Sequence, residues 1–146
     1  MKRLLLFLIT APPILAAGDT PFTVNLPQGW TVQKLQQGYV RMESPDKSRF
    51  VIVRPILGRT ADCQESLRRA FAASWSAFPG ARNLEVAPSG RGIATARFSF
   101  QDGRSRGAVM CAETSSGTGM YYGLAAPAAS FGQDLPGLVG ILRSFR

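Results

Sequence analysis

Apolar and polar positions alternate along most of this chain, and twice the pattern changes to steps of three and four residues. Thr20 to Leu26 sets Phe22, Val24 and Leu26 on one face, the period of two expected of a strand. LPQGW follows as a turn, in which Pro27 presets φ, Gly29 relieves a positive φ and Trp30 anchors the core at the start of the next strand. Thr31 to Gln36 and Tyr39 to Glu43 predict two more strands, joined at Gln37-Gly38. The turn SPDKS, Ser44 to Ser48, leads into Phe50 to Val53. A continuous apolar run of that kind suits a strand covered on both faces.

The first change of period spans Thr60 to Phe78, where Leu67, Phe71, Trp75 and Phe78 share one face of a predicted helix with Cys63. Asp62 is its expected N-cap, Glu65 completes a capping box, and Pro79-Gly80 stops it. Strands return at Asn83 to Ala87, before a turn at Pro88 to Gly90, and alternation runs from Gly92 through Phe100. Asp102-Gly103 is a two-residue hairpin signal leading to a strand at Arg104 to Thr114.

Such a turn sets the register. It puts Phe98 opposite Gly107, Ala96 opposite Val109 and Ala94 opposite Cys111 on one apolar face. The other face carries Thr95, Arg97, Ser99, Gln101, Arg104 and Arg106, and turns apolar at its far end with Ala108 and Met110. Met120 to Ala126 predicts the last strand. The second change of period, through Phe131, Leu135, Leu138, Leu142 and Phe145, predicts a terminal helix capped by Asp134 with Pro136 in its first turn. The order is therefore four strands, a helix, about four strands and a terminal helix, an α+β arrangement.

At 146 residues the chain suits one domain. Residues 1–17 carry the pattern of an export signal: Lys2-Arg3, an apolar run from Leu4 to Ile9 and on through Ile14-Leu15, and a small-residue end at Ala16-Ala17. The run is interrupted by Pro12-Pro13 and falls short of the ~20 residues a spanning helix needs, so cleavage after Ala17 is expected and stable membrane insertion is not. Residues 18–146 then form a single mature domain in the periplasm or outside the cell. No cysteine near that point offers a lipid attachment site.

Export changes how the remaining chemistry reads. The formal charge of +8 falls to +6 without Lys2 and Arg3, which suits an anionic partner as well as a solvated arginine-rich surface. Two cysteines in an oxidising compartment predict a Cys63–Cys111 disulfide between the helix and the apolar face of the hairpin. Closing a loop of nearly fifty residues would contribute ~4 kcal/mol by the chain-entropy estimate.

With no histidine in the chain, the commonest acid-base and triad chemistries and most metal sites lose their usual residue, and no cofactor is expected. Thr114 to Gly119 holds Ser115 and Ser116 but lacks the glycine spacing of a nucleophile elbow. Glu85, Asp102 and Glu113 are scattered, and no phosphate loop links a strand to a helix. Phe98 and Phe100 point away from Arg97, Arg104 and Arg106, so the stacking platform of a nucleic-acid binder does not form.

The element order, LPQGW, the SPD turn at Ser44 to Asp46 and the closing ILRSFR together resemble the PsbP/Mog/DcrB-like fold family. That resemblance implies an antiparallel sheet of about seven to eight strands flanked by helices, an α/β/α sandwich used for binding or assembly, without a shared catalytic motif. The expected function is thus an exported, non-enzymatic module of the cell envelope, contacting an envelope protein or anionic ligand through Arg97, Arg104 and Arg106. Two alternatives are a hydrolase with a serine nucleophile and a cationic module adhering to anionic membrane or polymer by charge alone.

Overall fold

In a computed structural model, residues 4–9, 22–35, 38–56, 62–113 and 119–145 are described. Among them stand nine strands and two helices. In chain order these are β1 (Leu4–Ile9), β2 (Phe22–Pro27), β3 (Thr31–Lys34), β4 (Val40–Glu43), β5 (Phe50–Ile56), α1 (Cys63–Ala72), β6 (Arg82–Gly90), β7 (Ile93–Phe100), β8 (Ser105–Glu113), β9 (Gly119–Pro127) and α2 (Phe131–Ser144). Seven strands form one sheet in the order β3-β4-β5-β9-β8-β7-β6, antiparallel at every step. β1 and β2 pair separately, Leu4 opposite Pro27 and Ile9 opposite Phe22, so the apolar run of the expected leader is strand-paired here.

The sheet separates two cores. On one side Leu67 of α1 and the following Trp75 and Phe78 pack on Phe50, Ile52, Phe98, Phe100 and Val109. On the other, Leu138 and Ile141 of α2 meet Val24 and Leu26 of β2 over Val40, Met42, Val51 and Val53. β5 thus contributes Phe50 and Ile52 to one core and Val51 and Val53 to the other, which is why its run is apolar without alternation.

Several local features differ from the sequence expectation. The helix expected over Thr60 to Phe78 ends at Ala72, because Ser74 takes a left-handed backbone (φ 61°) and turns the chain. Trp75 and Phe78 still reach the core, from a turn in which Phe78 N–H donates to the Trp75 carbonyl, so they match the helical stripe without being helical. Thr60 and Ala61 lie outside the described residues.

Asp62 does cap α1, its carboxylate accepting from Gln64 N–H at 2.8 Å, but Glu65 pairs with Arg69 instead of closing a capping box. α2 begins a turn earlier than Asp134, with Ser130 at its N-cap. Asp134 instead accepts from Arg49 (2.8 Å) and the Ser130 hydroxyl (2.7 Å), while Pro136 sits in the second turn. The turn expected at Pro88 to Gly90 is strand, and the chain reverses through Gly92 (φ 68°).

The hairpin register is the one the turn implies: Phe98 faces Gly107, Ala96 faces Val109 and Ala94 faces Cys111. Asp102 and Gly103 both have positive φ, the geometry of a type I′ turn, closed by Arg104 N–H donating to the Gln101 carbonyl at 3.2 Å. Cys63 and Cys111 are joined, with Cα atoms 5.5 Å apart, so the first residue of α1 is fixed near the C-terminal end of β8.

Candidate functional site

Each helix covers only part of the sheet face on which it lies. α1 packs on β6, β7 and β8, and α2 packs on the opposite face over β5 and β9 with β2 beside it. Two diagonal parts of the sheet have no helix above them. On the part beside α1, Arg41 lies 3.9 Å over the Phe50 ring and pairs with Glu43 at 3.3 Å. Tyr39, half-buried there, has its hydroxyl pKa raised by that burial, which outweighs the opposing pull of Arg41. These groups satisfy one another.

The other part is different. Beside α2, alternating residues of β7 and β8 form the floor of an open groove of about 1400 Å³. Arg97, Ser99 and Arg106 give way along β8 to Ala108, Met110 and Ala112. Tyr122 and Leu124 of β9 continue the floor, and Phe131, Leu135, Val139 and Leu142 of α2 make one wall. Asn83 and Glu85 of β6 mark the far rim, and Arg143 lies on the lip at the end of α2.

The composition of the groove follows from two periodicities. Along β8 the pleat sends Val109 and Cys111 into the α1 core, and Ala108 and Met110 to the groove. Along α2, Leu138 and Ile141 are consumed by the core with β2, while Phe131, Leu135, Val139 and Leu142 form an adjacent half-buried stripe. The helix carries a wider apolar face than the sheet beneath it can cover. Met110 is 36% exposed as a result.

Of the three arginines expected to share a face, two do so. Arg97 stands opposite Ala108 and Arg106 opposite Ser99, a diagonal pair at roughly 7–8 Å between Cα atoms. Both are exposed, and among the described residues neither has an ion-pair partner. Arg104 is elsewhere. Gln101 adopts φ 53°, so the ladder ends at Phe100–Ser105 and the turn leaves the pleat, and Arg104 lines a separate hollow with Pro79, Gly80, Gln101 and Asp102. Its guanidinium donates to the Gln101 carbonyl at 3.1 Å.

The apolar wall is what the sequence reading missed. Its signal was present in the apolar spacing of α2, but which of those residues would be used up by the core depends on where β2 lies. Ser115 and Ser116 fall outside the described residues. Among the described residues no group of three cysteine or acidic side chains converges to hold a metal ion, and no helix is long and apolar enough to cross a membrane.

No protein-family model and no curated protein matches the chain. Among solved structures it is similar to the solution structure of cyanobacterial PsbP (CyanoP) from Synechocystis sp. PCC 6803. The TM-score is 0.56 at 14% sequence identity, covering 95% of this chain and 98% of that one. With the sheet order and the helix on either face, that similarity gives the chain a PsbP-like fold.

Proposed function

We propose that this protein is an exported, non-enzymatic binding or assembly module of the cell envelope, and that the groove between β8 and α2 is its contact surface. The observation that carries this reading is the pair Arg97 and Arg106, two exposed guanidinium groups without ion-pair partners among the described residues, beside the half-buried apolar stripe of α2. Guanidinium forks suit carboxylate and phosphate oxygens, and the adjoining apolar surface adds burial.

Export is supported by the leader pattern, and the Cys63–Cys111 disulfide suits an oxidising compartment. Cleavage after Ala17 would remove β1 and leave β2, which holds to the body through Phe22, Val24 and Leu26 and through Asn25 N–H donating to the Ser144 hydroxyl at 2.9 Å. A non-enzymatic role is supported by the groove's chemistry. Its Ser99 hydroxyl is engaged on both sides, accepting from the Asn83 amide at 3.2 Å and donating to the Arg82 carbonyl at 3.5 Å.

The test is crosslinked recovery from the cell envelope, comparing wild type with the Arg97→Ser/Arg106→Ser double variant and with Arg104→Ser as a control. Recovery of one defined partner that survives Arg104→Ser and is lost with the folded double variant supports the proposal. Equal recovery with all three proteins removes the groove from consideration. Adhesion by charge alone would show as recovery that collapses when salt is raised, since exposed charges are screened within about 10 Å at 0.1 M ionic strength, whereas a shaped interface persists.

A further inference from the structure

Building on that reading of the groove, we infer that its occupant is a single-chain anionic amphiphile of the fatty-acid type, with the carboxylate held at Arg97 and Arg106 and the tail lying between β8 and α2. The groove is polarised along its length. Arg106 stands opposite Ala126, near the point where β9 leads into α2, and Arg97 is its diagonal neighbour. From there the floor becomes Ala108, Met110 and Ala112, with Leu124 alongside and the α2 stripe as the wall.

From Arg106 to Ala112 the strand advances six residues, about 20 Å at the rise of an extended chain. The groove is thus a long, largely apolar furrow with Arg97 and Arg106, unpaired among the described residues, gathered toward one end. An amphiphile with one anionic head and one long tail complements that distribution. An acidic amphipathic helix would present carboxylates at every turn and meet unpaired cations at only one end of the furrow.

The details of the surface agree with such a tail. Ala108 and Ala112 are small and leave a channel between their neighbours, and Met110 is a pliable, polarizable side chain suited to a chain with many conformers. The open groove, about 1400 Å³, has room for one extended chain of that kind. Glu85, the one carboxylate among the lining residues, stands opposite Arg97 across the β6–β7 ladder without forming an ion pair, and against Arg97 and Arg106 together it leaves this end of the groove net cationic.

Isothermal titration of the oxidised full chain with hexadecanoate, kept below its micelle concentration, tests this. Expected is saturable binding of one hexadecanoate per chain, with hexadecanol and octanoate each at least tenfold weaker. Arg97→Ser/Arg106→Ser should bring hexadecanoate to the level of hexadecanol and leave hexadecanol itself unchanged. Met110→Glu, at an exposed strand position and away from the arginines, should abolish binding of both long-chain probes while circular dichroism stays unchanged; it serves also if the double variant fails to fold.

Absence of saturable binding, or equal hexadecanoate affinity in wild type and the folded variants, overturns the inference. If hexadecanoate fails while recovery of an envelope protein still depends on Arg97 and Arg106, only the ligand class falls and the binding module stands. If both fail, the groove reading falls as well.

Discussion

Asp46 shows how a few atoms settle a turn and make it sensitive to pH. Its carboxylate accepts from the Ser44 hydroxyl (2.7 Å), the Ser48 amide (3.1 Å) and the Ser48 hydroxyl (2.8 Å), with Arg49 at 3.8 Å, in a turn where Lys47 has φ 61°. Those bonds, the one from Ser44 foremost, lower its pKa to about 2 from the usual 3.8. A carboxyl group depressed in the folded state stabilises above its unfolded pKa, and that contribution is lost as pH falls from about 4 through about 2. Ser44→Ala should raise the Asp46 pKa, as followed by carboxyl NMR titration; an unmoved midpoint would mean that the serine bond is not the cause. At Gly107 the constraint is space. A Cβ there would stand 2.6 Å from the Phe98 ring, so Gly107→Ala should cost about 1–3 kcal/mol in denaturant unfolding, and a neutral result would show that the ring can move aside at little cost.

At the scale of elements, the disulfide and the aromatic cluster hold α1 to the sheet. α1 is ten residues long, too short to persist in water alone, and its place depends on Leu67, Phe71 and the bond from Cys63 to Cys111 across 48 residues. Cys63→Ser/Cys111→Ser should lower unfolding stability by up to ~4 kcal/mol, since the open chain gains the entropy that loop closure removed. Unchanged stability would show that packing alone fixes the helix. At the other helix, Arg49 ties the N-terminal turn of α2 to the start of β5 through Asp134 and Ser130, at 2.8 and 3.3 Å. That tether sets where the groove wall begins.

For the whole molecule, offsetting two helices on opposite faces of a seven-stranded sheet leaves a diagonal pair of half-faces with no helix above them. One is filled by its own side chains, Arg41 on Phe50 and Glu43, and Arg54 5.5 Å over Trp75. The other carries Arg97 and Arg106, which have no ion-pair partner among the described residues, beside the half-buried apolar stripe of α2.

What the sequence determined by itself were properties set by neighbours along the chain. Alternation predicted strands over Thr20 to Leu26, Gly92 to Phe100 and Arg104 to Thr114, which stand at Phe22–Pro27, Ile93–Phe100 and Ser105–Glu113; the apolar run Phe50 to Val53 marked β5 as covered on both faces, and Asp102-Gly103 set the β7–β8 register through its positive φ values. That register sufficed to put Cys111 on the helix side and Arg97 with Arg106 on the other. Only the tertiary structure decided the end of α1, the exclusion of Arg104 and the existence of the groove. Trp75 and Phe78 satisfy a helical spacing whether they are in a helix or in a turn folded against it, and Gln101 leaves the pleat by a backbone choice no alternation reveals. Likewise, the apolar stripe of α2 is equally apolar whether buried or open. Which part of it stays open is set by the offset between helix and sheet, a distance between segments far apart in sequence and therefore invisible in the order of residues.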